Sequence, residues 1–355
     1  MTKIRVLVAD DSALMRQLLT TILSSDPEIE VVGAAADAIG AWEQIQRLRP
    51  DVLTLDVEMP RMDGLEFLER LMRAHPMPVV TCSSLTERGG DTTLRALELG
   101  AVDFVNKPKI DVQRGVEMLG AELIAKVKAA ARSRARPRTT NGSRSHSSAS
   151  RIRVENLASG ETVRKTTDLV LALGASTGGT EALREVLEAL PADSPGVVIV
   201  QHMPAQFTRQ FAERLDKRCS VRVHEAKDGD RILPGHVLIA PGGAQHMEVA
   251  RSGAHAMVRL LTGPPVRRHR PSVDVMFNSC ATSLGANAVG AILTGMGGDG
   301  AQGLLAMRRA GARTIAQDEA TSVVFGMPRE AIACGAVDVV VPLEAIASTL
   351  LRLAR

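Results

Sequence analysis

The first third of the chain alternates short apolar runs with amphipathic stretches. Ile4-Arg5-Val6-Leu7-Val8-Ala9 has the length and composition of a strand, and Leu14, Met15, Leu18, Leu19 and Ile22 then recur at helical spacing. The same rhythm predicts strands over 29–34, 52–55, 79–82 and 102–105. Helices are expected over 38–48, 64–73 and 92–99, with a last one from about Val112 into the 120s. Five strands alternating with five helices imply a parallel sheet covered on both faces.

A second series of alternations begins at Leu169. The run Leu169-Val170-Leu171-Ala172-Leu173 predicts a strand, and Ala182, Leu183, Val186, Leu187 and Leu190 follow at i, i+3, i+4 spacing. Val197 to Val200 reads as a buried strand, and Phe207, Phe211 and Leu215 mark the helix after it. The texture then changes. Residues 221–249 are rich in Gly, Pro and short alternating runs, and Met257 to Leu261 adds another, which predicts antiparallel hairpins at the edge of the sheet. Ser272 is the expected N-cap of a helix running to about Leu284, with Asp274 in its first turn. Strands over 288–293 and 314–316, a turn at Phe325-Gly326-Met327-Pro328 and a helix from about Leu343 complete the pattern.

Between the two series the apolar content falls sharply after Ala131. No acidic residue occurs from Glu122 to Glu155, while nine Lys and Arg do, among Ser, Thr, Asn and Gly. This composition predicts a solvated linker. A basic run can also mark nucleic-acid or membrane-surface binding, but no aromatic or amphipathic pattern stands beside it. With no Tyr, one Trp and six Phe, the chain is poor in stacking platforms for single strands. No apolar run reaches transmembrane length, and Asp10-Asp11 come too early for a signal peptide. Cys82, Cys219, Cys280 and Cys334 show no metal-ligand or disulfide spacing, so a cytoplasmic protein without membrane insertion is expected.

Candidate chemistry sits at strand ends, where parallel sheets bind ligands. In the first series these ends carry Asp10, Asp11, Asp56, Ser83 and Lys107. Two carboxylates at about 4 Å repel by roughly 4 kcal/mol at an effective dielectric near 20. A hard divalent cation such as Mg²⁺ relieves that repulsion. A phosphoryl group on Asp56 could then be held by the cation, by Lys107 and by the Ser83 hydroxyl. The D-D-S, D-V-E-M-P-R-M-D-G, S-S and K-P blocks together resemble a two-component receiver domain over about 120 residues. The resemblance implies phosphorylation of Asp56 by a histidine kinase. It implies Mg²⁺ held by Asp10, Asp11, Asp56 and the Glu58 carbonyl. It also places Ser83 and Phe104 at the switch positions.

In the second series three Gly-rich or polar turns follow three predicted strands: Gly174-Ala175-Ser176-Thr177-Gly178, Gln201-His202-Met203-Pro204 and Thr294-Gly295-Met296-Gly297-Gly298-Asp299-Gly300. The first fits G-x-S-x-G, which presents a serine beside the free N–H groups of a helix start. A dinucleotide loop would want a carboxylate at the end of the next strand, and Gln201-His202 stand there instead. Ser176, His202 and Asp299 have the chemistry of nucleophile, base and orienting acid. Asp274 and Asp318 are rival acids. Backbone N–H groups of Thr177 and of the Met296 turn are the candidate oxyanion donors.

These turns, with R-H-R-P-S-V-D and V-F-G-M-P-R-E, resemble the catalytic domain of the CheB family of chemotaxis methylesterases over nearly all of 166–355. The resemblance implies a phosphorylation-activated enzyme that hydrolyses glutamate γ-methyl esters, and deamidates glutamines, on chemoreceptors. The family's serine, histidine and aspartate fall on Ser176, His202 and Asp299, and Met296 on its oxyanion-hole residue. It implies no cofactor for the ester reaction, a monomer, and chemoreceptors and a histidine kinase as partners, with no nucleic acid. The expected fold class is therefore α/β. A flavodoxin-like (βα)5 receiver, 1–125, is followed by a basic linker, 126–165. A doubly wound, mainly parallel α/β catalytic domain, 166–355, carries the antiparallel hairpin excursion. The competing reading is a response regulator whose second domain binds a ligand or partner without catalysis. The unphosphorylated receiver is expected to lie over the Ser176 rim.

Overall fold

Strands buried on both faces need helices on both faces, and the first unit meets that demand. The computed structural model describes residues 2–59, 63–83, 87–107, 113–133 and 169–355, with backbone alone for 87–89 and 113–119. Strands β1 (Ile4–Ala9), β2 (Ile29–Ala35), β3 (Val52–Asp56), β4 (Val79–Ser83) and β5 (Asp103–Asn106) alternate with α1 (Ala13–Ser24), α2 (Ala38–Leu48), α3 (Gly64–Ala74), α4 (Glu87–Glu98) and α5 (Gln113–Arg132). All pairings are parallel, in the order β2-β1-β3-β4-β5. Val6, Leu7 and Val8 are fully buried although their side chains point to opposite faces. The helix starts follow the capping chemistry of the sequence: Ser12 accepts from Met15 N, Asp37 from Gly40 N and Asp63 from Leu65 N.

The second unit holds β6 (Val170–Ala175), α6 (Gly179–Glu188), β7 (Gly196–Gln201), α7 (Ala205–Asp216), β8 (Arg222–Glu225), β9 (His236–Ile239), β10 (Gln245–Ser252) and β11 (His255–Thr262). It continues with α8 (Val273–Ser283), β12 (Ala288–Ile292), α9 (Ala301–Arg309), β13 (Arg313–Gln317), α10 (Met327–Ala333), β14 (Val339–Val341) and α11 (Leu343–Leu353). Seven strands form one parallel sheet, ordered β14-β13-β12-β6-β7-β9-β8. From β6 the chain first winds outward through β7, then returns to place β12 on the other side. The turns after β12, β6 and β7 therefore lie side by side at the switch point of the sheet.

Three local expectations change. The hairpin reading of 221–249 holds only for its last strand, β10, whose antiparallel partner is β11. β8 and β9 extend the parallel sheet instead. Val237, Leu238 and Ile239 are all buried, and an uninterrupted apolar run is the mark of a strand covered on both faces, not of a hairpin. Helix α4 starts at Glu87, five residues before the expected Thr92, because Gly89-Gly90 lie inside the helix. The turn at 325–328 starts α10, with Pro328 in the first turn, where its missing N–H costs nothing. The basic stretch from 134 to 168 lies outside the described residues.

The two units share one apolar cluster, in which Leu94, Leu97 and Phe104 join Phe207, Phe211 and Leu215. The Phe104 and Phe207 ring centroids are 4.7 Å apart. Around this contact Arg214 reaches Asp91 at 2.7 Å and Glu98 at 3.1 Å. Gly90 admits α7 closely: a Cβ there would lie 2.4 Å from Gln210 Oε1. The buried Asp103 accepts a hydrogen bond from the Thr177 hydroxyl and pairs with Lys126 of α5 at 3.2 Å. Lys126 also donates to Phe104 O at 2.6 Å.

Leu171, fully buried at the centre of the large sheet, tests this packing. Leu171→Ala should lower the stability of the second unit by about 2–5 kcal/mol, read as a lower urea midpoint at unchanged slope.

Candidate active site

Ser176 follows β6, His202 follows β7 and Asp299 lies in the loop between β12 and α9. The register pairs Ala175 with Gln201 and Ile292 with Gly174, so the three turns leave the sheet at one level. Gly178 takes φ +75° at the start of α6, a conformation that suits glycine, and a Cβ there would also collide with Val323. Ser176 itself is not among the positive-φ residues, so the turn's unusual backbone sits two residues beyond the hydroxyl. Gly295 lets the third turn lie against the first: a Cβ on it would be 2.8 Å from the Ser176 Cβ. Ser176 N donates to Thr294 O at 3.0 Å, and Thr294 Oγ1 donates to Thr177 O at 3.0 Å. Gln201, 3% exposed, ties the first two turns by donating to Ser176 O at 2.9 Å.

Asp299 is buried, and its carboxylate is fully engaged. It accepts from the Ser272 hydroxyl at 2.7 Å, from Val273 N at 2.7 Å and from Asp274 N at 3.2 Å, all at the start of α8. His202 Nε2 lies 2.8 Å from Asp299 Oδ2. An ionised carboxylate only accepts, so Nε2 carries the hydrogen and Nδ1 is the basic nitrogen. Burial alone would raise the Asp299 carboxyl. The hydrogen bond and charge of His202, then Ser272 and Val273, reverse this and hold it below the usual carboxylate range. The rival acids are occupied elsewhere. Asp274 pairs with Arg267 at 2.7 Å and accepts from Gly303 N, and Asp318 accepts from Thr321.

His202 Nδ1 is buried without a hydrogen-bond partner. No hydrogen bond joins it to Ser176 Oγ, so the expected serine–histidine contact is not closed in this arrangement, although both residues share the rim. Among the described residues, neither Thr177 N–H nor Met296 N–H donates to a protein acceptor. Uncommitted N–H groups beside a serine hydroxyl are what an oxyanion needs. His269 was not singled out from the sequence. Its ring stacks on His202 with centroids 3.7 Å apart and planes 1° from parallel. Asp103 was likewise missed, because a receiver residue gives no local sign that it will touch Thr177.

The first unit brings its strand-end acids together too. Carboxylate oxygens of Asp10, Asp11 and Asp56 lie within 4.8 Å of one another. Lys107 Nζ stands 2.6 Å from Asp56 Oδ2 and 2.9 Å from Asp10 Oδ2. Burial would depress the lysine, but Asp56 and then Asp10 hold it above its usual value. Asp10, mainly through burial, is raised. Glu58 N donates to Asp56 Oδ1 at 2.9 Å, so the Glu58 backbone borders the cluster. Ser83 is buried at the end of β4, beside Asn106 in the register. A buried group of like charges, with one side chain exposed at Asp11, suits an oxygen-ligated divalent cation. Phe104 faces Phe207 across the units.

The fold and these two sites define a receiver unit joined to a hydrolase-like α/β unit. Residues 6–119 match the response regulator receiver domain, and residues 171–350 match the CheB methylesterase model. The chain belongs to the CheB methylesterase family. It is 59% identical to a protein-glutamate methylesterase/protein-glutamine glutaminase of Bordetella bronchiseptica over 99% of this chain and 97% of the relative. It is 57% identical to one named the same, with the number 1, from Xanthomonas campestris, over 99% and 98%. The solved Thermotoga maritima CheB methylesterase catalytic domain is 36% identical, with TM-score 0.51, covering 53% of this chain and 99% of that one.

Because the folded pKa of Asp299 is depressed, its contribution to stability is present above the unfolded value of about 3.9 and is lost as pH falls through the folded value. Asp299→Asn should cost about 1–3 kcal/mol at neutral pH. In urea unfolding the gap between variant and wild type should narrow on acidification below about pH 4.

Proposed function

We propose that this chain removes methyl esters from glutamate side chains of chemoreceptors, and deamidates receptor glutamines, under control of Asp56 phosphorylation. The observation that carries the reading is the His202–Asp299 pair beside Ser176, on a chain 57–59% identical to enzymes bearing that name. A non-catalytic output domain is not favoured by those relatives.

Ser176 Oγ attacks the γ-ester carbonyl while His202 Nδ1 takes its proton. Asp299 holds the resulting imidazolium through Nε2. The Thr177 and Met296 N–H groups bind the tetrahedral oxyanion. His202 then returns the proton to the departing methanol, leaving an acyl group on Ser176. A water deprotonated by His202 releases free glutamate and the serine. An amide substrate follows the same course and yields ammonia.

Phosphorylation by a histidine kinase puts a phosphoryl group on Asp56. Asp10, Asp11, Asp56 and the Glu58 carbonyl would hold Mg²⁺, which would supply charge neutralisation there. Lys107 and the Ser83 hydroxyl bind the new phosphoryl oxygens. Moving Lys107 from the Asp56 carboxylate, where it already lies at 2.6 Å, to the phosphoryl oxygens, and turning Ser83 to them, disturbs the end of β5 and the position of Phe104. The receiver covers the rim through Phe104 on Phe207 and Asp103 on Thr177, so this disturbance loosens it and shifts the population toward an open site. The ester reaction itself uses no cofactor. A cytoplasmic monomer fits this scheme; among the described residues no helix is long and apolar enough to cross a membrane.

Methanol release from methylated receptor, with a small phosphodonor and Mg²⁺, is the direct test. Ser176→Ala should reduce it by at least about 10³-fold, and undiminished release would refute the assignment. Asp103→Ala removes the partner of the Thr177 hydroxyl and should raise activity without phosphodonor by about 5- to 150-fold, the range of ordinary coupling energies. An unchanged basal rate would show that this contact does not hold the site shut.

A further inference from the structure

One half-buried ring beside the site has no part in the scheme above. His269 stands in R-H-R-P-S-V-D, and the segment around it does two things at once. Ser272, Val273 and Asp274 hold the Asp299 carboxylate. Three residues before Ser272, the His269 imidazole lies flat on the His202 imidazole, 3.7 Å between centroids and 1° between planes. Reciprocal backbone hydrogen bonds between Val266 and His269, at 3.0 and 2.9 Å, fix this loop. Arg270 anchors it further by donating to Gly243 O and Gly263 O. The same short loop therefore sets both the acid and the plane of the base.

We propose that His269 is a positioning residue for the reaction: a flat plate that locks the plane of His202, so that Nε2 stays on Asp299 and Nδ1 stays on the side where the serine proton is taken. This rests on the assignment of Ser176, His202 and Asp299 as the reacting set.

The chemistry of the pair explains why the plate must be neutral. In the transition state His202 is an imidazolium, and a second cation stacked on it would oppose that charge. Burial, and then His202 itself, push His269 down to about 4, so at neutral pH it carries no charge. The other charged groups acting on it are Asp299, which favours its protonation, and Lys126 of the receiver and Arg268, which oppose it. A flat neutral ring also excludes water from one face of His202, whose side chain is only 8% exposed. Without the plate the imidazole is free to turn about its side-chain bonds, and misplacement of a catalytic group by even 1 Å costs rate steeply.

The test uses the full chain activated by phosphoramidate and Mg²⁺, with methanol release from methylated receptor as the assay. His269→Ala should lower kcat by about 10- to 100-fold with KM nearly unchanged. His269→Phe, which keeps a flat uncharged ring, should restore most of kcat. The proposal is overturned if His269→Ala matches wild type in kcat, or if His269→Phe is as impaired as the alanine variant. Should both variants fail to fold, the ring resonances of wild-type histidines decide. His269 staying neutral well below about pH 6.5 supports the plate, and ordinary titration there overturns it. A parallel Ser176→Ala arm separates the two readings: if that variant still releases methanol, the reacting set is wrong, whatever His269 does.

Discussion

A buried carboxylate is stable only when its charge is answered, and the Asp299 carboxylate organises the rim of the second sheet for that reason. Its donors come from two places far apart in the chain. The start of α8 supplies a hydroxyl and two N–H groups, and the end of β7 supplies His202. Satisfying the acid therefore joins the loop after β12, the 266–274 segment and the β7 turn. It also fixes the tautomer of His202, because the nitrogen facing the carboxylate must carry the hydrogen. The basic nitrogen is then the one left buried and unpartnered.

The receiver side obeys the same electrostatic rule with a different answer. Asp10 and Asp56 are buried and close, and Lys107 bridges them. That arrangement is poised rather than closed, because the lysine neutralises only part of the negative charge. Asp103 is the third buried acid of consequence. It answers its charge with Lys126 and accepts hydrogen bonds from Phe104 N and the Thr177 hydroxyl. A receiver residue next to Phe104 is in this way bonded to the residue next to Ser176. The charge balance of one unit is linked to the loop geometry of the other.

Local pattern carried much of this. The alternation of strands and helices in the receiver, the cap at Ser272, and the three polar turns after 173, 200 and 293 were legible from residue spacing alone. Local reading failed where tertiary contacts overrode a local rule. Gly89-Gly90 look like a helix break, yet α4 runs through them; at Gly90 the space is taken by Gln210 of α7. The short runs at 222–225 and 236–239 look like hairpin strands, yet they join the parallel sheet beside β7. β14, three residues at the sheet edge, has too little pattern to be read at all.

By itself the sequence determined the two βα series, the strand ends at which chemistry would sit, and the residue types able to perform it. Those follow from periodicity and from the reactivity of single side chains, both of which are local. Tertiary structure alone decided the strand order β12-β6-β7, which sets three distant turns on one level. It also brought Asp299, which the family resemblance already set above Asp274 and Asp318, to His202, stacked His269 on that ring and carried Asp103 to Thr177. Each of these is a contact between residues 26 or more apart, or across a loop whose path is set by packing, and no spacing rule reaches that far.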